Sequence, residues 1–193
     1  YVLSSGFDCT DSAAMNDGQG FIPIDSFSGK YFDGRNFTIN GLTIAGDTEG
    51  SLGLFKNISA GSTVSNIRFS SFTATNNQLS NVDNITTGTL AGVNHGTIDN
   101  IDMQGTYTSA GFAGGLVGAN YGTISRVKVS AATQGTSAGF HTMGGIAGYN
   151  TGSISDSFAR ADLYSTLSEE ATCGGLAGSM QNGSISKSYT ASV

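Results

Sequence analysis

Apolar and small polar residues alternate along most of the chain with the two-residue period of a β-strand. Val127 and Val129, for example, alternate with Arg126 and Lys128. No stretch shows the 3.6-residue period of an amphipathic helix, and the many glycines would weaken any helix. The pattern therefore predicts an all-β protein built from short strands.

A repeated motif organises these strands into units of similar length. Four copies begin 26, 30 and 30 residues apart and cover Gly88–Ile98, Gly114–Ile124, Gly144–Ile154 and Gly174–Ile185. A divergent copy starts at Gly50, and the stretch 32–44 resembles another unit. One unit is too small to bury its own apolar face, so units must stack. We expect a right-handed parallel β-helix of about six coils, with three short strands in each coil.

Stacking at the usual strand spacing of ~4.8 Å turns equivalent positions into columns. Two columns are aliphatic and are predicted to point inward: Leu90, Leu116, Ile146 and Leu176, and Ile98, Ile124, Ile154 and Ile185. A glycine column is predicted to bend or to pack tightly, and an asparagine column to hydrogen-bond from coil to coil. The predicted structural positions are Gly92, Asn94, Gly96, Gly118, Asn120, Gly122, Gly148, Asn150, Gly152, Gly178, Asn182 and Gly183. The extra residue of the last copy is expected to be absorbed by a turn.

Two further columns are predicted to point outward. One contains Asn100, Arg126, Asp156 and Lys187, and the other contains Asp102, Lys128, Phe158 and Tyr189. Opposite charges and aromatic rings become neighbours in this register, which is how stabilising cross-strand pairs are arranged. We interpret these columns as stabilising contacts.

The repeat defines the expected organisation: residues 1–20 form an N-terminal cap or irregular segment, and residues 21–193 form the β-helix. Six coils would separate Cys9 and Cys173 by roughly 24 Å. A disulfide requires Cα atoms within ~7 Å, so the two cannot meet unless the first segment folds back. The chain begins at Tyr1 without a methionine, which suggests a mature product or an excised piece.

Composition narrows the class of protein. Charged residues make up only 11% of the 193 residues, yet hydrophobic residues reach 38%, which is enough for a core and argues against disorder. The surface must then consist mainly of Ser, Thr, Asn and Gly, as on extracellular β-solenoids. The net charge is −6 and the 8 basic residues do not cluster, which argues against a nucleic-acid partner. No apolar run approaches the ~20 residues of a membrane span.

The segment Gly114–Ile124 and its three sister copies resemble GLUG motifs. The stretch Gly20–Ile44 resembles the segment that commonly precedes GLUG repeats, so the resemblance covers the chain from about Phe21 to Val193. GLUG repeats occur in large secreted and surface-anchored bacterial proteins, including adhesins and some immunoglobulin-A-cleaving metallopeptidases. The resemblance implies a passenger or stalk region in an extracellular location, and it carries no catalytic residues.

Candidate catalytic groups are sparse. The segment Gly135–Gly139 matches the G-x-S-x-G motif and lies near His141, but that motif requires a strand, a turn and a helix, and no helix is predicted there. Neither His95 nor His141 is followed by the glutamate of a zinc peptidase. The carboxylates Asp25, Asp33, Asp99 and Asp102 do not stack in pairs, as polysaccharide hydrolysis would require. We predict no enzymatic activity and no cofactor.

Other ligand sites also lack a complete pattern. Asp8, Asp11, Asn16 and Asp17 are hard oxygen ligands, but their spacing fails the calcium-loop motif, so a solvated cap is favoured and no metal site is predicted. Asp47 and Glu49 are interpreted as loop charges. An ice-binding face would require flat outward rows of threonine. The one candidate column is half serine and is therefore a weak match: Thr97, Thr123, Ser153 and Ser184.

Three segments of variable length follow the outward columns: 105–113, 131–143 and 161–173. Insertions in solenoids often collect on a binding side. The alternative is that their large side chains point into the core, and this is the interpretation that we favour; those residues are Tyr107, Phe112, Phe140, Tyr164 and Leu167.

Three functional hypotheses follow. The leading one is a non-enzymatic extracellular β-helix of a bacterial surface protein, acting in adhesion toward a glycan or cell-surface ligand or as a rigid spacer. The second is a subunit that stacks end to end into an extracellular filament, because an open coil offers unpaired backbone groups. The third is a polysaccharide-active β-helix enzyme.

Overall fold

The computed structural model describes residues 1–46, 50–76, 84–109, 111–135, 141–165 and 171–191. Within them the chain winds into a β-solenoid whose stacked strands are parallel, which confirms the predicted fold class. The solenoid has about five turns. The difference from the six predicted coils is minor, and it arises because the first coil adds no described strand to one of the three sheets.

The strands follow one another in the order of the coils. Strand β1 (Phe7–Asp8) lies in the N-terminal segment, together with two short 3-10 helices, Thr10–Ala14 and Asn16–Gly18. The first coil contains β2 (Ile24–Phe27), β3 (Tyr31–Asp33), β4 (Thr38–Asn40) and β5 (Thr43–Gly46). The second contains β6 (Ser51–Leu52), β7 (Phe55–Ile58) and β8 (Thr63–Asn76). The third contains β9 (Thr86–Gly88), β10 (Ala91–Asn94) and β11 (Thr97–Ser109).

The remaining three coils repeat one plan of four strands. The fourth contains β12 (Gly111–Gly114), β13 (Val117–Asn120), β14 (Thr123–Ser125) and β15 (Lys128–Gly135). The fifth contains β16 (His141–Gly144), β17 (Ala147–Asn150), β18 (Ser153–Ser155) and β19 (Phe158–Ser165). The sixth contains β20 (Ala171–Gly174), β21 (Ala177–Met180), β22 (Ser184–Ser186) and β23 (Tyr189–Thr190).

These strands form three parallel sheets along the solenoid. Sheet A consists of β1, β3, β4, β5, β8, β11, β14, β15, β18, β19, β22 and β23. Sheet B runs in the order β2, β7, β10, β13, β17, β21, and sheet C in the order β6, β9, β12, β16, β20. Each full coil therefore visits sheet C, then sheet B, then sheet A, and crosses sheet A in one long strand or two shorter ones.

The core lies between the sheets and is built from the predicted inward columns. In coils with a neighbour on both sides these side chains are fully buried: Leu90, Leu116, Ile146, Ile98, Ile124 and Ile154. Along β11 buried and less buried residues alternate, as the two-residue period predicts. Successive coils thus share one continuous apolar interior.

Sheet A changes direction at a column of residues with left-handed backbone. The φ angles are 58° at Asn66, 53° at Asn100, 52° at Arg126, 50° at Asp156 and 47° at Lys187. Residues other than glycine seldom adopt this conformation, and asparagine does so most readily. We call this column the left-handed bend. It separates β14 from β15, β18 from β19 and β22 from β23, whereas in coils two and three it lies within β8 and β11.

The N-terminal segment lies against the first coil at the edge of sheet A. Strand β1 pairs in parallel with β4. The backbone N–H of Leu3 donates to the carbonyl of Asp33 at 2.9 Å, and that of Cys9 donates to the carbonyl of Asn40 at 2.7 Å. The segment therefore satisfies backbone groups of the first coil in sheet A.

The sixth coil has a neighbour on one side only among the described residues. Its inward residues Leu176 and Ile185 are only partly buried. Met180 is 53% exposed and Tyr189 is 66% exposed. The two ends of the described solenoid thus differ, because residues of the N-terminal segment lie against the first coil.

Candidate functional site

Sheets B and C touch each other through glycine. An ideal Cβ on Gly118 would lie 2.5 Å from the backbone nitrogen of Thr87, and one on Gly148 would lie 2.5 Å from that of Ala113. Gly92 and Gly178 make equivalent close approaches, with nearest distances of 2.5 and 2.6 Å. Backbone packs directly on backbone at this column, and a side chain would push the sheets apart.

An amide ladder runs through the interior beside this contact. The Nδ2 of Asn94 donates to the Oδ1 of Asn120 at 2.8 Å, and the Nδ2 of Asn120 donates to the Oδ1 of Asn150 at 2.8 Å. All three side chains are completely buried. The Oδ1 of Asn94 also accepts the backbone N–H of Gly96 at 3.0 Å. A buried amide is stable only when paired, so each rung fixes the register of the next.

The ladder is bounded by apolar residues at both ends. Asn94 is paired in register with Ile58 on one side, and Asn150 with Met180 on the other. Asn182 lies outside the ladder with φ 59°, in the turn that absorbs the extra residue of the last repeat.

The glycine that directly precedes the final Thr-Ile or Ser-Ile of each repeat makes room for the ladder. The nearest asparagine Nδ2 would lie 3.0 Å from a Cβ on Gly122, 2.9 Å from one on Gly152 and 2.7 Å from one on Gly183. A Cβ on Gly96 would lie 2.5 Å from the carbonyl oxygen of Ser62. These positions serve the packing of the interior.

The outward columns lie in the predicted register but pair only partly as expected. Lys128 Nζ lies 3.8 Å from the Asp102 carboxylate, and the rings of Phe158 and Tyr189 are 4.9 Å apart. Arg126, however, forms its ion pair with Asp99 of the preceding coil, where we expected Asp156. The reason is that Ser125 holds the Asp99 carboxylate in place with a 2.7 Å hydrogen bond, directly beside the left-handed bend.

A row of rings crosses the outer side of coils three to five. His95 stacks on Tyr121 with a centroid distance of 4.9 Å, and Tyr149 contacts Tyr121 at 6.2 Å and Phe112 at 5.2 Å. The hydroxyl of Tyr149 donates to Oε1 of Gln181 at 2.6 Å. Sequence reasoning missed this row. Its signal was that both His95 and Tyr121 directly follow a ladder asparagine.

The candidate catalytic groups do not assemble among the described residues. Ser137 of the G-x-S-x-G motif and the side chain of His141 lie outside them. Asp25 forms an ion pair with Lys56 at 2.5 Å. Asp99 and Asp102 are occupied by the cations described above.

Asp33 acts in a turn that follows β3. Its Oδ1 accepts the backbone N–H of Arg35 at 2.9 Å and Nδ2 of Asn66 at 2.9 Å. These hydrogen bonds, the one from Asn66 first, hold the pKa of Asp33 below its usual value because they stabilise the charged carboxylate.

The N-terminal acidic residues are engaged by their own segment. Asp8 accepts the side-chain and backbone groups of Thr10, which lowers its pKa. Asn16 donates to the carbonyl of Gly20 at 2.7 Å. Within the described part of the chain, no three His, Cys, Asp or Glu side chains gather where they could hold a metal ion. Asp47 and Glu49 lie outside that part.

Both cysteines are free thiols. Partial burial raises the pKa of Cys9, with a further contribution from the charge of Asp8, and partial burial also raises the pKa of Cys173. Thiols with raised pKa values carry little thiolate at neutral pH and react slowly.

Two remaining predictions concern surface columns and variable segments. Thr97, Thr123, Ser153 and Ser184 are in register, and the column begins at Tyr31 and Thr63. Tyr107 is buried, as expected, and donates to the carbonyl of Gly144 at 2.8 Å. Phe112 is only partly buried and belongs to the aromatic row, whereas Phe140, Leu167 and the Tyr164 side chain lie outside the described residues.

In the described parts of the chain, no helix has the length and apolar character needed to cross a membrane.

No protein-family model matches the chain, and no solved structure matches it. The GLUG resemblance therefore stays a prediction. The chain is 29% identical over 127 residues to halomucin of Haloquadratum walsbyi (strain DSM 16790 / HBSQ001), in a match that covers 61% of the chain. The match spans 1% of the length of that relative, so what it shows is a partial similarity to one small part of a very long protein.

Proposed function

We propose that this chain is a rigid, non-enzymatic structural segment of an extracellular protein, serving as a spacer or presenting an adhesive surface. The observation that carries the proposal is the continuous stack in which the glycine contact and the amide ladder join adjacent coils. Because neighbouring coils are locked in register by buried groups, the solenoid resists bending and shear. The partial similarity to halomucin is compatible with an extracellular structural role.

The experiment combines sedimentation velocity and negative-stain electron microscopy over a wide concentration range with an assay for cleaved polysaccharide. A spacer segment gives single particles of constant size, and acidic and neutral polysaccharides release no reducing ends or unsaturated products. Cleavage that survives repurification would overturn the non-enzymatic part of the proposal. The matched control is Asn120→Ala, which should make the stack of coils less rigid and should leave the side chains on its outer surface unchanged.

A second candidate function is end-to-end assembly into a filament, favoured by the exposed sixth coil. Tyr189 and Met180 are largely exposed there, and the strand edges of β20, β21 and β22 have a partner on one side only among the described residues. Against head-to-tail stacking, the N-terminal segment already occupies the first coil in sheet A. Filaments with a regular axial repeat in the same micrographs would make assembly the function and displace the spacer.

A further inference from the structure

We propose that a groove on the outer side of the last three coils binds an acidic polysaccharide strand, with sugar units that carry carboxylates. The groove is an open surface depression with a volume of about 580 Å³. It lies between the left-handed bend and the next outward column of sheet A. We call it the basic groove, and its outward side chains are Arg126, Lys128, Asp156, Phe158, Lys187 and Tyr189.

Its charge is unusual for this chain. The protein has a net charge of −6 and only 8 basic residues, and three of them line this groove. The side chains of Arg126 and Lys128 are 65% and 54% exposed. Lys187 forms no ion pair with any described residue. Three cations therefore lie together on one face of an acidic molecule, and because Asp99, Asp102 and Asp156 lie beside them, an anionic ligand would be held by the free N–H donors of these cations and not by a net positive charge.

The existing ion pairs leave donors free for a ligand. Arg126 meets Asp99 through one terminal nitrogen, Nη2, and a guanidinium carries five N–H donors. The separation of 3.8 Å between Lys128 and Asp102 is too long for a hydrogen bond. An incoming carboxylate can thus bond to both cations without breaking the pairs that hold them.

Aromatic rings complete the groove. Phe158 and Tyr189 sit on adjacent coils with their planes at 46°, and Tyr189 is 66% exposed. Exposed rings beside cations offer an apolar surface of the kind that the C–H face of a pyranose packs against. The combination of rings and cations matches the two sides of a uronic acid, an apolar ring face and a carboxylate.

Asp156 favours a polysaccharide over other anionic ligands. It lies between Arg126 and Lys187 in the left-handed bend and presents an acceptor. A sugar supplies hydroxyl donors to such a carboxylate, whereas a phosphate polymer supplies none and meets the acidic remainder of the chain. The groove crosses three coils, roughly 10 Å at the spacing of parallel strands, which suits a short run of sugars.

The test is calorimetric titration of the intact chain with oligogalacturonate at low salt. The test variant is Lys128→Gln with Lys187→Asn, where asparagine suits the left-handed backbone. The matched control is Lys30→Asn with Lys56→Gln, which removes the same charge from the first two coils. Tyr189→Ala tests the ring, and circular dichroism verifies that each variant is folded.

We expect the wild type to bind oligogalacturonate, the test variant to lose about tenfold or more in affinity, and the control to stay within about twofold. Binding should weaken with added salt, and neutral cello-oligosaccharides should bind far less. The proposal is overturned if the wild type fails to bind, if both double variants lose affinity equally, or if inorganic polyphosphate binds as well as the uronate. None of these outcomes would change the rigidity on which the spacer function rests.

Discussion

Coils four and six have nearly the same motif but bury it to different extents. Leu116 and Ile124 of coil four are fully buried, whereas the equivalent Leu176 and Ile185 of coil six are partly exposed. The side chains are identical in type and the backbone register is the same. The difference lies in the neighbours, since coil four is covered on both sides. A repeat of this kind acquires its stability from stacking, as expected for a solenoid.

The largest effect should come from deleting a core side chain in the covered coil. Leu116→Ala should lower the free energy of unfolding by about 4 kcal/mol, because it leaves a cavity between two neighbouring coils. Leu176→Ala should cost about 1 kcal/mol, since its side chain is already partly hydrated. Urea unfolding followed by circular dichroism measures both. Equal losses would show that the neighbours do not matter.

A smaller but still large difference is expected at the glycine contact. Gly118→Ala should cost about 3 kcal/mol, because its Cβ would meet the backbone of β9 and neither sheet can move away. A Cβ at Gly178 makes a similar approach to the carbonyl of Met143, but coil six packs against a neighbour on one side only among the described residues, so we expect Gly178→Ala to cost about 1 kcal/mol. Thermal unfolding of the two variants side by side tests this, and a greater loss at Gly178 would contradict it.

The amide ladder can be tested with one substitution that should destabilise the protein and one that should stabilise it. Asn120→Ala should cost about 2 kcal/mol, because it leaves a donor of Asn94 and an acceptor of Asn150 unpaired and buried. Met180→Asn should add about 0.5 to 1 kcal/mol by extending the ladder into coil six. Denaturant midpoints at constant slope report both changes. A destabilising Met180→Asn would mean that the amide cannot reach Asn150.

The smallest expected effect is a pH dependence of stability at the N-terminal end of the solenoid. Hydrogen bonds lower the pKa values of Asp8 and Asp33 from the ordinary 3.8. The two carboxylates therefore contribute their full stabilisation at pH values above their unfolded-state pKa. This stabilisation is lost as the pH falls through their lower folded-state pKa values. Acid should loosen the N-terminal segment and first coil before coils three to five.

Hydrogen exchange at a series of acidic pH values follows this loosening. Asp33→Asn should flatten the dependence in the first coil, whereas Asp17→Asn, at a side chain with no hydrogen bond among the described contacts, should leave it unchanged. Acid sensitivity that begins in coil four would refute this order.

The sequence predicts those features that repeat with the coil. The columns of Leu116 and Ile124, the contact at Gly118 and the ladder through Asn120 all follow from one alignment, because parallel stacking places equivalent residues side by side. The pairing of β1 with β4 has no such signal, since the N-terminal segment contains no copy of the motif. Its course is set by backbone hydrogen bonds that any residue type can make.

Outward features depend on side-chain direction as well as register. Arg126 shares a column with Asp156 but reaches Asp99, because the left-handed backbone redirects it toward a carboxylate that Ser125 already holds. The same redirection opens the basic groove beside Lys128 and Tyr189. Alignment alone places these residues as neighbours and leaves unresolved whether they pair with one another or face a ligand.

The three ladder amides all point the same way. Each Nδ2 faces the following coil and each Oδ1 that accepts it faces the preceding one. Their dipoles therefore add along the solenoid axis, in the manner of peptide groups in a helix, and mutual polarisation strengthens the sum. The interior of coils three to five is therefore electrically polar along the axis, with its positive pole toward coil six, and reversing any one amide would break the hydrogen bonds on both sides of it.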